Sequence, residues 1–178
     1  MRTKKQHIHE AALKLFTDKG VRATSTKAIS EEAGVSEALI FRYYSTKQDL
    51  VEEIIKQGYK DAAKATLGIL NEKDDLKYIL KTIEMPLHLV SSNPDFWKMQ
   101  YNIIALNETS RKYHQLFIRP CEVRLNEAFS NLKYPNPLQE AALLLLFIDG
   151  LWKHFAGKII SPQDVQSLID LLQKKYSR

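Results

Sequence analysis

Apolar residues at Ile8, Ala11, Ala12, Leu15 and Phe16 recur at i, i+3, i+4, i+7 and i+8, which draws one stripe on a helix ending near Gly20. After the turn Val21-Arg22-Ala23, the hydroxyls of Thr24 and Ser25 offer caps for a short helix that buries Ala28, Ile29 and Ala33. Gly34 stops it, as a residue free to take positive φ. Ser36 caps a third helix, residues 37–43, with Val35, Leu39 and Ile40 turned inward. Ser45 with Gln48, or Thr46 with Asp49, then forms a capping box for a long helix through Leu50, Ile54, Ile55, Tyr59, Ala62 and Ala63. Beyond Asn71 the pattern stays helical, near 74–92, 94–107, 108–132, 137–159 and 162–176, and nothing alternates with period two for long. The expected fold class is all-α.

Two of these segments need a partner. Val165, Leu168, Ile169 and Leu172 share one face of the last, while the stretch from Leu138 to Phe155 is apolar almost all round and must be covered on several sides. Contact with a second subunit is one way to cover it. The expected interface comprises Leu144, Ile148, Gly150, Leu151, Val165, Leu168, Ile169 and Leu172.

Composition removes several classes. With 178 residues, 44% apolar, the chain is unlike a disordered one. Its longest apolar run, Ala141 to Ile148, is far short of the roughly twenty residues that span a bilayer. The basic start, Met1 to His7, leads into an amphipathic pattern and not an apolar signal region, so a cytoplasmic location is expected. A single cysteine, Cys121, excludes an intramolecular disulfide and any multi-thiolate metal site. Residues 1–50 hold nine of the lysines and arginines against six acids, a lean toward polyanions within a net charge of +5. The charge placement divides the chain at residue 50, into an N-terminal domain of residues 1–50 and a helical domain of residues 51–178.

The two short helices joined at Gly34 make a helix-turn-helix, whose second helix can enter the DNA major groove. Around them stand Ile8, Ala11-Ala12, Leu15-Phe16, Gly20, Thr24-Ser25, Ile29, Glu32-Ala33-Gly34-Val35-Ser36, Tyr44, Lys47 and Leu50. In these residues the stretch 3–51 resembles the N-terminal domain of the TetR family of bacterial transcriptional regulators. Asp149-Gly150-Leu151 resembles a step often seen in that family's penultimate helix. The resemblance implies a homodimer on a palindromic operator, paired through the last two helices, with a small-molecule pocket in each C-terminal domain. It implies DNA contact from Thr24, Ser25, Lys27, Ser36, Glu37, Ala38, Arg42, Tyr43 and Lys47. Lys47, at a helix N-terminus where a cation opposes the dipole, makes sense beside a phosphate. Phe41 stands where the family usually has tyrosine, and Ser30 where it often has alanine. The lost tyrosine hydroxyl leaves two roles for Arg42: a substitute phosphate contact, or a reader of a guanine edge. Glu37 reads as a first-turn acid that favours the helix dipole.

No histidine lies three or four residues from another histidine or the cysteine, and no nucleophile elbow or glycine-rich phosphate loop occurs. Neither a metal, a cofactor nor an enzymatic activity is expected. Aromatic residues crowd the centre, and Pro86 and Pro120 interrupt helical patterns there, each costing about 3 kcal/mol unless compensated. Helices disturbed in this way leave room for an effector, small and mostly apolar. Its expected wall is Trp97, Tyr101, Tyr113, Phe117 and Cys121, with Asn102, His114 and Asp149 for polar specificity. The reading is a ligand-released repressor. The rival is a helical dimeric enzyme or carrier that uses the aromatic cavity without binding DNA; it would show turnover or retain a cofactor.

Overall fold

The computed structural model describes residues 3–177; the basic start at Met1 and Arg2, and Arg178, lie outside the described residues. The regular structure among the described residues is helical: α1 (Lys4–Lys19), α2 (Thr26–Ala33), α3 (Glu37–Tyr43), α4 (Lys47–Leu70), α5 (Asp75–Ser92), α6 (Pro94–Ile103), α7 (Glu108–Asn131), α8 (Pro137–Ala156) and α9 (Pro162–Tyr176). None is long and apolar enough to cross a membrane. Ser25, Ser36 and the Thr46–Asp49 pair cap as expected, while the cap on α1 is not among those expected. Thr3 and Gln6 close a capping box on α1, and Ser25 and Ser36 accept from Ala28 N and Leu39 N. For α4 the box is Thr46 with Asp49, at 3.1 and 2.8 Å. Helix α6 stops at Ile103, short of the expected 107, because Asn107 turns its side chain onto Ser110 N to cap α7. Helix α8 stops at Ala156, and the following Lys158 takes positive φ.

The chain condenses into two compact units, one of residues 1–59 with 95–113, the other of 60–94 with 114–178. These packing units differ in bounds from the functional division at residue 50 that the charge placement suggests. The reason lies in aromatic contacts within the first unit. Tyr59 of α4 meets Phe96 and Trp97 of α6 edge-on, each at 5.6 Å, and stacks on Tyr113 of α7 at 6.4 Å. Thr17 of α1 adds a hydrogen bond to the Asp95 carbonyl. Around this cluster α1 packs on α2 and α2 on α3, with Ile8, Phe16, Ile29, Ile40, Leu50 and Ile54 fully enclosed.

In the second unit α5 packs against α8 and α9. Both prolines sit inside continuous helices, Pro86 buried in α5 and Pro120 exposed on α7. Six of the residues expected at the interface face into this unit. Leu144, Ile148, Leu151, Val165, Ile169 and Leu172 are buried against their own chain, Leu144 to 1% exposure. They are the inner stripe of the unit. What α8 and α9 leave in solvent is another set: Leu138, Leu143, Leu146 (74% exposed), Phe147 and Leu171. Of the residues first expected at the interface only Gly150 and Leu168 stay partly exposed, and a Cβ added at Gly150 meets nothing within 4 Å.

Candidate nucleic-acid interface

Helices α2 and α3 owe their angle to Gly34, whose left-handed backbone (φ 63°, ψ 40°) lets its N–H bond back to the Ser30 and Glu31 carbonyls. Ile29 and Ile40 face inward from the two helices and fix their inner sides. On the outer side Ser25, Lys27, Ser36, Ala38, Phe41, Arg42 and Tyr43 are exposed. The arrangement thus presents two cations and two half-exposed aromatic rings around a short helix that carries its own N-cap. Such a surface offers charge to phosphates, guanidinium donors to base edges and apolar contact to thymine methyl groups.

Three expected contact residues hold the motif together from within. Thr24 is 2% exposed, and its hydroxyl donates to the carbonyls of Gly20 and Leu15 at 2.8 and 3.3 Å, so it braces the α1–α2 turn and does not face outward. Lys47 points its ammonium back at the same turn, donating at 2.8 Å to the carbonyls of both Val21 and Thr24. Two of its three protons are engaged; what relieves its unfavourable place at the helix N-terminus is a pair of carbonyl oxygens of the chain itself. Glu37 accepts from the Thr26 hydroxyl and so pins the start of α3 to the start of α2. The sequence signal for these inward roles is weak, because a carbonyl partner leaves no trace in the identity of the residue supplying it.

The motif is further clamped to α1 by Lys14 and Glu32, 2.6 Å apart. Each holds the other charged: the Glu32 carboxyl lies below its ordinary range and the Lys14 ammonium above it, through their mutual hydrogen bond. Both side chains stand in water, so this pair orients more than it stabilises.

The expected effector residues fall into two groups. In the first unit Trp97 is 1% exposed and enclosed by Tyr59, Phe96 and Tyr101, which are the surroundings of a core ring, while Asn102 is exposed. In the second unit His114 Nε2 lies 3.5 Å from Asp149 Oδ1, and the Trp152 ring packs near both His114 and Phe117. Asp149 is half exposed. Burial pulls the His114 pKa below its ordinary value, against the opposing pull of Asp149. Cys121 is buried and its thiol is pushed up to about 11 by that burial, which leaves it protonated and unreactive. Trp152 is the member of this cluster missing from the expected wall; it lies one turn beyond Asp149 on α8, a spacing that marks it as a neighbour.

Residues 8–54 match the family model described as bacterial regulatory proteins, tetR family. An uncharacterized HTH-type transcriptional regulator, YvkB of Bacillus subtilis (strain 168), is 38% identical over 96 residues, 46% of this chain and 51% of the relative. The chain therefore spans about half the length of that relative. Among solved structures, the TetR family transcriptional regulator PfmR of Thermus thermophilus superposes with a TM-score of 0.75 at 19% identity, over 97% of this chain and 96% of its own. The transcriptional regulator FadR of Bacillus subtilis, solved in complex with stearoyl-CoA, does so with a TM-score of 0.71 at 13% identity and 96% of each chain. The helix-turn-helix described above, from the inner stripe of α1 to the capped start of α4, lies inside the matched stretch, so in residues 8–54 the chain is similar to the N-terminal domain of the tetR family of bacterial regulatory proteins.

Proposed function

We propose that the chain is a DNA-binding transcriptional regulator, acting in the cytoplasm as a repressor that grips a palindromic operator as a homodimer and lets go when a small, mostly apolar effector binds. The observation that carries the reading is the outer face of α2 and α3, where Lys27, Arg42 and two half-exposed rings stand on a motif braced from inside by Thr24, Glu37 and Lys47. The match of residues 8–54 to the tetR family model supports the same reading. Dimerisation is supported by the apolar face of Leu143, Leu146, Phe147 and Leu171, which no part of the chain's own core uses. Leu143, Phe147 and Leu171 also border a hollow of about 560 Å³. The open space around Gly150 on α8 gives a partner's backbone room to approach. Two linked readers then meet half-sites about 34 Å apart.

For the effector, the His114, Phe117 and Trp152 cluster offers rings, with Asp149 as the polar group. A long acyl chain, as in the ligand of the FadR neighbour, belongs to the class such rings accept. By linkage the effector weakens DNA binding only through its different affinity for the two states, about 1–3 kcal/mol in most such systems. Selection of bound duplexes from a random library tests the reading. Enrichment of an inverted repeat, with affinity that falls steeply with salt, is the expected result; no enriched sequence and no salt dependence would reject it.

A further inference from the structure

In the first unit the groove between α1 and α4 contains a cavity of about 400 Å³ whose wall includes Lys5, Gln6, Glu10, Tyr44, Glu53 and Gln57. That volume falls within the range of about 300–1,000 Å³ typical of small-molecule sites. Its chemistry runs against its surroundings: residues 1–50 are net basic, yet here the carboxylates of Glu10 and Glu53 share the wall with one ammonium, that of Lys5, and with the His9 imidazole. The ammonium of Lys5 stands 5.6 Å from the centre of the Tyr44 ring and 3.4 Å from Glu53 Oε1. This is a cation lodged between a π-face and a carboxylate. It is loosely lodged, since the side chains of the pair are 48% and 38% exposed and solvent screens such pairs.

Tyr44 supplies the second, independent observation. The residue is 5% exposed, and its hydroxyl is shielded from solvent without a hydrogen-bond partner. An orphaned buried hydroxyl is costly and rarely kept without a use. Burial and the nearby Glu53 push its pKa up to about 12, so it stays a neutral phenol able to accept a proton donor's hydrogen bond. An anion in this cavity would meet two carboxylates. An alkylammonium meets everything it needs, and Lys5 already shows where its head goes.

We propose that the cavity between α1 and α4 is a binding site for a small alkylammonium ligand, a primary amine or diamine, which takes the place of Lys5 between the Tyr44 ring and the carboxylates of Glu53 and Glu10. The site shares no residue with the effector cluster or with the outer face of α2 and α3, and it stands whether or not the chain binds DNA.

The test uses the full chain, with 1,4-diaminobutane and propylammonium titrated at low ionic strength and followed by calorimetry and by amide shifts of α1 and α4. Saturable binding of the diamine is expected. Glu53→Gln should weaken it about fivefold, the loss of one partly exposed ion pair. Lys5→Met, at an exposed position that keeps its apolar stem, should strengthen binding because the resident competitor is gone. Absence of saturable binding overturns the proposal, as does equal binding by wild type and Glu53→Gln, or weaker binding by Lys5→Met. Displacement of the diamine by inorganic phosphate through the same amide shifts would also overturn it, since the site would then be anionic in preference.

Discussion

Lys47 and Arg42 are both basic residues of the helix-turn-helix region, and their surroundings assign them different work. Lys47 spends two hydrogen bonds on the α1–α2 turn; Arg42 is exposed at the end of α3. Lys47→Met should therefore lower folding stability by about 1.5–3 kcal/mol, the scale of hydrogen bonds to a charged group, and show as a lower urea midpoint. Arg42→Ala should leave the midpoint unchanged. If Arg42 reads a guanine, that variant also relaxes preference at one base pair by about 1–3 kcal/mol in duplex competition. His114 gives a pH-dependent counterpart. Its folded pKa lies below the ordinary 6.5 because burial disfavours the imidazolium, with Asp149 opposing. A base depressed in this way binds its proton better when unfolded, so its contribution to stability is constant above pH 6.5 and declines as pH falls below that value. His114→Gln should flatten that part of the decline in urea melts, and the imidazole resonances should titrate below 6.5.

Among the elements, the contact of α4 with α6 is set by one missing methyl. A Cβ at Gly58 would lie 2.1 Å from the Phe96 ring, and that ring is itself buried against Tyr59 and Trp97 with nowhere to retreat. Gly58→Ala should cost about 1–3 kcal/mol by overpacking, although alanine is the better helix former, and thermal melting with near-UV dichroism around Trp97 would report it. A wild-type melt for this variant would mean that α6 can move off α4 freely. Gly58 also marks the limit of what the sequence discloses. The helices, the caps of α2, α3 and α4 and the exposure of α3 were legible because periodicity and capping chemistry are local. Which face of α8 looks inward was not, because a helix apolar all round carries no directional signal; Leu144 and Leu146 are the same residue type with opposite surroundings. Trp97, expected at a pocket wall, is enclosed among rings for a reason no pattern discloses, since an aromatic side chain lines a cavity or fills a core with the same chemistry. Thr24 and Lys47 were recognisable as important, but their partners are main-chain carbonyls, which no pattern of side chains encodes.

For the whole molecule, the proposed homodimer rests on the exposed set Leu143, Leu146, Phe147 and Leu171. Leu146→Glu should give a folded monomer by sedimentation that no longer holds an inverted repeat, whereas Leu144→Glu should unfold the second unit, because that side chain has no water to reach. A dimer that survives Leu146→Glu would move the interface elsewhere. The same surface has a genetic consequence. Since the proposed assembly face and the proposed reading helix use different residues of the chain, a copy with a ruined α3 and an intact apolar face should still capture normal subunits. Its mixed pairs would own one working hand each, so such an allele should behave as dominant over the normal gene, and it should become recessive again when Leu146 is changed to glutamate in the same copy.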